Sequence, residues 1–189
     1  MRRLSSIAAS LLLVACTAWF VQAQTPEKPA PAKEHGYLGS KACMACHKNP
    51  EKGDQYGKWL ASPHAKAYQA LLSDAAKKIA GEKGLKKPAE ESPECIKCHI
   101  MGWDAKPELL AKTYDKTEGI GCEKCHGPAA DFKIVHMKDK AQAMTLGMIA
   151  PDEKFCKGCH NAESPTFKGF DFAKMSAAIA HPNPKKAAK

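Results

Sequence analysis

The chain of 189 residues has a formal net charge of +9, with 26% charged and only 7% aromatic side chains. This length suits one or two small domains, and so few aromatic residues are meagre material for a packed apolar core. The lysines are scattered and form no basic helical stripe with interleaved aromatics, which argues against nucleic-acid binding.

The first 23 residues have the pattern of a secretory signal peptide. Arg2 and Arg3 form the charged start, residues 7–20 form an apolar run, and residues 21–23 form a small-residue cleavage site. The apolar run is short for a comfortable membrane span. Residues 13–16 also fit a lipoprotein cleavage box, so a chain anchored by a lipid on Cys16, with peripheral membrane association, is the alternative. Either form predicts a periplasmic or otherwise exported protein.

Residues 24–36, rich in proline and alanine, predict a flexible spacer ahead of a domain that spans residues 37–182. Within that domain, the apolar side chains of residues 55–72 fit one helical face that Pro63 must interrupt. Residues 132–148 have helical periodicity, and residues 170–179 predict an amphipathic terminal helix just ahead of His181. Residues 183–189 form a basic tail. No stretch alternates convincingly as a strand, so the predicted class is mostly α with extensive irregular loops.

A pentapeptide, Cys-x-x-Cys-His, occurs four times in this domain and uses eight of the nine cysteines. Its members are Cys43, Cys46 and His47, then Cys95, Cys98 and His99, then Cys122, Cys125 and His126, and finally Cys156, Cys159 and His160. Two thiols three residues apart on a helical turn can form thioethers with the two vinyl groups of one haem, and the adjacent histidine then becomes the proximal iron ligand. Zinc sites and dithiol redox motifs need no such histidine. The repeat therefore predicts a small domain wrapped around four covalently bound haem c groups.

Four other histidines equal in number the irons that could take a distal ligand. They are His35, His64, His136 and His181. We expect His64, His136 and His181 to bind iron. His35 lies beside the spacer, and a solvated side chain explains it as well.

Methionines are the rival distal ligands, and they would raise the haem potential that two imidazoles keep low. Met144 and Met148 lie on a predicted helix, although apolar thioethers at helical spacing usually pack. The iron bound by His99 has no spare histidine nearby, and Met101 is too close in sequence to reach its far face. We therefore predict mainly bis-histidine haems and one iron, at His99, whose distal face is open or weakly occupied, with His35 or a methionine as the alternative ligand.

Further features accompany the pentapeptides. They are Tyr37-Leu38-Gly39 ahead of the first one, the run Trp59-x-x-Ser62-x-His64-Ala65-Lys66-Ala67, the run from Gly119 to Pro128 with His136 after it, and a Phe-Asp-rich C-terminal helix that ends at His181. As a set, these features resemble the tetrahaem cytochrome c-554 family, and the similarity spans residues 37–181.

The resemblance implies a mostly helical fold around four closely packed haems, three of them bis-histidine and one five-coordinate. It makes His64, His136 and His181 the distal ligands and assigns the five-coordinate haem to His99. It also implies three axial pairs, namely His47 with His136, His126 with His64, and His160 with His181.

The sequence thus predicts an electron carrier that shuttles electrons through four haems between redox protein partners, with donor and acceptor left open. One alternative is a haem enzyme that reduces nitric oxide, nitrite or hydroxylamine at the open iron of His99. Another is a subunit of a conductive filament, in which a histidine such as His35 binds the iron of a neighbouring subunit. The carrier is favoured because nothing in the sequence identifies the proton donor that reduction would need.

Overall fold

Short α-helices separated by 3₁₀ turns and irregular loops make up the described part of the chain, residues 34–184 of a computed structural model. The helices are α1 (Lys41–His47), α2 (Gln55–Ala61), α3 (Ala67–Leu71), α4 (Asp74–Glu82), α5 (Pro93–His99), α6 (Cys122–His126), α7 (Lys140–Thr145), α8 (Glu153–Lys157) and α9 (Phe172–Ile179). The 3₁₀ turns cover Pro50–Lys52, His64–Lys66, Ala89–Glu91, Pro107–Leu109, Lys116–Glu118 and Val135–Met137. Within residues 34–184, an isolated bridge between Tyr37 and Leu110 is the only strand-like pairing. The predicted class, mostly α with extensive irregular loops, is confirmed.

Several predicted segments lie outside the described residues. They are the signal peptide of residues 1–23 with Cys16, most of the spacer of residues 24–36, and the end of the basic tail of residues 183–189. In the part of the chain that the structure describes, every helix is too short or too polar to cross a membrane.

Two helix predictions are confirmed. The interruption at Pro63 is present, because α2 ends at Ala61 and Ser62 is extended (φ −80°, ψ 159°), the conformation that a following proline favours. The chain resumes through the His64–Lys66 turn into α3. The terminal helix α9 begins after Asp171, whose side chain accepts a hydrogen bond from the backbone N–H of Lys174.

The helical periodicity of residues 132–148 does not correspond to one continuous helix. The chain forms the Val135–Met137 turn and then α7, because Asp139 between them is extended and caps α7 by accepting the backbone N–H of Gln142. The apolar spacing did not predict α4, which begins after a capping residue, Ser73. In both places a local cap, more than the apolar period, decides where the helix begins.

The apolar core of the described residues consists of small clusters. The buried members are Leu71, Ala80 and Ala89 in one cluster, and Ala129, Phe132 and Ala143 in another. Helices of only five to nine residues have little stability of their own. Such sparse packing agrees with the expectation that bound macrocycles complete the core.

Glu123, inside α6, holds three segments of the fold together. It is 2% exposed, and its carboxylate accepts hydrogen bonds of 2.7–3.1 Å from the backbone N–H groups of Leu38, Gly39 and Ala129. Burial raises the pKa of Glu123, and the three donors oppose that shift because they stabilise the ionised form. One side chain thus joins the segment before α1 and the loop after α6 to the third pentapeptide.

The end of α6 requires a glycine. Gly127 has a φ of +87°, and a Cβ atom there would lie 2.0 Å from the carbonyl oxygen of Gly147. Next to this contact, the N–H of Ile149 donates to the carbonyl of His126 at 2.9 Å. The close approach therefore seats residues 147–149 against the third pentapeptide.

Replacing Glu123 by glutamine should lower the free energy of unfolding of the holoprotein by about 2 kcal/mol, because one amide oxygen cannot accept all three backbone donors. Denaturant titration followed by far-ultraviolet circular dichroism measures the change. The matched control is Glu94→Gln, at an exposed acid just ahead of Cys95, which should change stability by less than about 0.5 kcal/mol. Equal stability of the two variants would contradict the role assigned to Glu123.

Candidate haem sites

The four pentapeptides lie on short helical turns. The first and second end α1 and α5, and the third forms all of α6. The fourth begins at Cys156 in α8 and continues to His160, whose N–H donates to the Cys156 carbonyl at 3.0 Å. Side chains three residues apart in a helical turn share a face, so each pair of thiols points the same way. All eight pentapeptide cysteines are free thiols, as thioether formation needs.

Three pairs of imidazole rings face each other across gaps that fit one iron each. The ring centres are 6.0 Å apart for His47 and His136, 5.9 Å for His64 and His160, and 5.9 Å for His126 and His181. A metal–imidazole bond is about 2 Å long and the ring centre lies about 1 Å behind the bonding nitrogen, so two axial imidazoles place their centres about 6 Å apart. The residues present therefore fit haems with two axial histidines.

This arrangement corrects two of the three axial pairs that the resemblance implied. The first pair is as expected, but the ring of His160, not His126, faces His64, and the ring of His126, not His160, faces His181. The backbone of His64 does lie beside the third pentapeptide, since its carbonyl accepts the N–H of Ile120 at 3.0 Å. Its ring nevertheless points to the fourth, and position along the chain does not reveal that direction.

Hydrogen bonds orient four of the candidate ligands through Nδ1. The pairs are His99 with Ala67 (2.7 Å), His181 with Ile179 (2.8 Å), His136 with Phe132 (3.3 Å) and His47 with Gln55 (3.4 Å). Three of the acceptors are backbone carbonyls and the fourth is a side-chain amide oxygen, so Nδ1 carries the proton. Nε2 then has the free lone pair that a metal needs.

Burial keeps several of these rings neutral. It is the main cause that lowers the pKa of His47, His64 and His126 below the ordinary histidine value. Neutral imidazole is the form that binds metal. His160 is held differently, because the ring of Phe170 stacks on it with centres 4.9 Å apart and planes at 17°. Sequence reasoning assigned Phe170 only to the start of the terminal helix and missed this contact.

His99 stands apart from the ring pairs. Its Nδ1 donates to the carbonyl of Ala67, so the ring is oriented like the others. No second histidine of residues 34–184 takes the position opposite it. Met101 is 1% exposed, and its sulfur packs against Gly121, so it fills space between loops.

His35 has a partner of its own. Its Nδ1 lies 2.6 Å from a carboxylate oxygen of Asp131, and its ring packs against Gly147. The side chain is 15% exposed. The solvated alternative for His35 is therefore wrong, and the ring joins the chain ahead of α1 to the loop after the third pentapeptide.

A cavity of about 330 Å³ borders two of the iron positions. It is lined by His126, His136, Lys140, Met148, Ile149, Ala150 and Pro151. His136 belongs to the ring pair of the first pentapeptide and His126 to that of the third, so these two sites are neighbours. Met148 also packs against the cluster that contains Phe132, which is the packing role expected of a thioether. Met144, on α7, is 43% exposed.

Thiols of different pentapeptides lie close enough for one to raise the pKa of the other. The neighbours are Cys43 with Cys122, Cys125 with Cys156, and Cys98 with Cys159. The hydrogen bond to Cys122 is the main cause that raises the pKa of Cys43, while burial, reinforced by the adjacent thiol, raises the pKa of Cys98 and of Cys125 to about 11. The pentapeptides are therefore neighbours in the order first, third, fourth, second.

A short helical chain that presents several such thiol pairs and histidine pairs is a multihaem c-type cytochrome. Residues 42–127 match the sequence model of the family described as cytochrome c554 and c-prime. Over 155 residues the chain is 30% identical to cytochrome c-554 of Nitrosomonas europaea, an alignment that covers 73% of this chain and 63% of that relative. The chain is thus similar to the cytochrome c-554 family, and it spans less than two thirds of the length of the curated relative that it matches. No solved structure matches it significantly.

Replacing His64 by alanine should convert one low-spin iron to high spin, and that iron should be the one bound by His160. We therefore expect no new high-spin signal when the fourth attachment site is also removed, by Cys156→Ser with Cys159→Ser. The electron paramagnetic resonance spectrum of the oxidised holoprotein counts the high-spin irons.

In a chain that lacks the third attachment site instead, by Cys122→Ser with Cys125→Ser, His64→Ala should still produce the new signal. His181→Ala is the matched control and should show the opposite pattern. The reverse result for both histidines would restore the pairing that the resemblance implied.

The relative orientation of the paired rings should also be visible by paramagnetic resonance. The two planes meet at 19° in the pair of His47 and at 80° and 79° in the pairs of His64 and His126. Parallel imidazole planes separate the iron dπ orbitals in energy, whereas perpendicular planes leave them nearly equal and make the low-spin signal strongly anisotropic. We expect one ordinary low-spin signal, two strongly anisotropic ones and one high-spin signal from the iron at His99. Three low-spin signals of the same shape would contradict these geometries.

Proposed function

We propose that this chain is an exported tetrahaem electron carrier that passes electrons between redox protein partners. When bound, each haem supplies one iron that cycles between the ferric and ferrous states and so holds one electron. The single observation that carries the proposal is the set of contacts between pentapeptides, because they bring all four candidate sites into one uninterrupted row.

The order of sites in that row differs from their order in the sequence. α1 meets α6 at Cys43 and Cys122, α6 meets α8 at Cys125 and Cys156, and the turn after α8 meets α5 at Cys98 and Cys159. The first and second pentapeptides therefore form the two ends. A carrier with two ends offers separate surfaces to a donor and an acceptor, which is useful for a protein that must meet both.

Lysine side chains join the second pentapeptide both to the segment after the fourth and to the third. Lys97, inside the second pentapeptide, pairs with Glu163, just after the fourth, at 2.5 Å. Lys124, inside the third, donates to the carbonyl of Lys97 at 3.4 Å. The exposed pair contributes little stability. The ion pair between Lys97 and Glu163 nevertheless joins the segments that carry the second and fourth sites.

The histidine environment favours low potentials. Three sites have two facing imidazoles, and their Nδ1 donors or stacked neighbours hold Nε2 in place for iron. Two imidazole ligands give a lower potential than imidazole with methionine. The packing role of Met148 and Met101 supports the same assignment.

The N-terminal sequence supports a periplasmic or otherwise exported location. Residues 1–23 have the signal-peptide pattern, and c-type attachment is completed outside the cytoplasmic membrane in bacteria. Cleavage at Cys16 to give a lipid-anchored chain is the alternative form. Without Arg2 and Arg3 of the leader, the formal net charge falls from +9 to +7, which suits docking to an acidic redox partner.

Removal of an attachment site from the middle of the row should interrupt electron exchange. The variant Cys122→Ser with Cys125→Ser should lose one of four haems, counted by pyridine haemochrome absorbance, and exchange between the first site and the remaining two should slow by orders of magnitude. Exchange is followed optically after rapid reduction.

The matched control removes a site at an end of the row, by Cys95→Ser with Cys98→Ser. It should also lose one haem, but exchange among the other three sites should continue at the original rate. Equal slowing of electron exchange in both variants would argue against the proposed order of sites. A wild-type holoprotein with fewer than four haems would argue against the tetrahaem carrier.

His99 favours a second candidate function, reduction of nitric oxide, nitrite or hydroxylamine. Its ring is oriented for iron but faces no second histidine among residues 34–184. Steady consumption of one of these compounds by the reduced holoprotein, abolished by His99→Ala, would support the enzyme. If the holoprotein has a high-spin iron but consumes none of these compounds, electron transfer is the only one of the two functions that remains.

A further inference from the structure

Glu118 is a buried carboxylate that electron transfer through the row does not use. It ends the Lys116–Glu118 turn and is 9% exposed. One carboxylate oxygen, Oε2, accepts the N–H of Ser40 at 2.7 Å, whereas Oε1 is fully buried and has no hydrogen-bond partner. A buried ionised oxygen without a donor is costly, and a proton is the simplest species that removes the charge.

The carboxylate lies at the junction of the first and third sites. Ser40, which donates to it, directly precedes α1, and the hydroxyl oxygen of Ser40 accepts the N–H of Cys122 at 3.2 Å. Cys43 and Cys122, the first thiols of the two sites, are close enough that Cys122 raises the pKa of Cys43. Glu118 therefore shares one partner with both attachment helices.

A cation, Lys41 at the start of α1, lies beside the turn that ends at Glu118, with its ammonium 3.8 Å from the carboxylate of Asp115. The groups that sense the charge of Glu118 are acids and phenols. They are Tyr56 on α2, Tyr114 in the loop before the turn, and Cys122 and Glu123 on α6, each of which senses the charge of Glu118. α3, which also packs against the turn, contributes Tyr68 as its titratable residue. Burial and then the neighbouring acids raise the pKa of Tyr56, and they raise the pKa of Tyr114 to about 12, so neither phenol ionises near neutral pH.

Glu118 differs from the neighbouring carboxylate Glu123 in its donors. Burial raises the pKa of Glu123, but three backbone donors occupy both of its oxygens and oppose that shift. Glu118 has one donor and a bare oxygen. An added negative charge nearby will therefore be compensated more readily by protonation at Glu118.

We propose that Glu118 binds a proton when the neighbouring first and third sites are reduced, and so couples electron transfer to proton uptake. In the balanced step, one electron from a one-electron donor protein converts ferric to ferrous iron, and one proton from solvent binds Oε1 of the carboxylate. The added negative charge acts through a low-dielectric interior and favours the neutral acid. Because reduction then consumes a proton, the midpoint potential falls as pH rises.

The test is optical redox titration of the holoprotein at several pH values between about 5 and 9. The wild-type chain should show midpoint potentials that fall with pH, and Glu118→Gln should lose most of that dependence. Glu94→Gln, at an exposed acid beside the second site, should behave like the wild type. Glu123→Gln should keep the dependence. The assignment would be overturned if the midpoint potentials of Glu123→Gln no longer depended on pH while those of Glu118→Gln still did.

A second measurement needs no variant. The reduced-minus-oxidised infrared spectrum of the wild-type holoprotein should gain the carbonyl band of a protonated carboxyl group, and absence of that band would overturn the proposal even if Glu118→Gln fails to fold. The inference depends on the proposed tetrahaem carrier, but the redox titration distinguishes failure of the carrier proposal from failure of the proton-binding proposal. Without the carrier there is no reversible iron couple to titrate, whereas without the proton site the couples are reversible and their potentials are independent of pH.

Discussion

The spacing of about 6 Å between facing imidazole rings is the constraint on which this structure depends. Each pair joins a proximal histidine on a pentapeptide to a distal one from a different part of the chain, and the distal residues lie on turns or at a helix end. Those elements cannot move without breaking the pair. If the paired rings bind iron, the irregular loops between them are fixed at both ends by ligand positions, although they form no regular layers.

Hydrogen bonds between side chains and the backbone connect segments that are far apart in the chain, a role that an apolar core has in most domains of this size. Glu123 accepts three backbone donors, Ser40 bridges Glu118 and Cys122, and the Trp59 side chain donates to the Ile120 carbonyl at 2.8 Å. All of these contacts converge on the loop before the third pentapeptide and on α6. This region therefore connects more segments of the described chain than a single helix would.

The same buried carboxylates link stability to function. Glu123 is satisfied and serves as an anchor, whereas Glu118 has one oxygen without a donor in the most sensitive place, between two attachment helices. A fold that needed only rigidity would gain from pairing that oxygen. The uncompensated group is better explained by a proton that comes and goes with electrons.

The sequence by itself determined the number and position of the pentapeptides, the resemblance to the cytochrome c-554 family and the mostly helical class, because these follow from residue types at short, fixed spacings. It also predicted the break at Pro63 and the terminal helix before His181. It did not predict the boundaries within residues 132–148, where the cap at Asp139 decides. Only the tertiary structure decided that His64 faces His160, that the sites follow the order first, third, fourth, second, and that Glu118 is buried. Those features depend on the directions of side chains far apart in the chain, which are set when loops pack together and leave no periodic trace in the sequence.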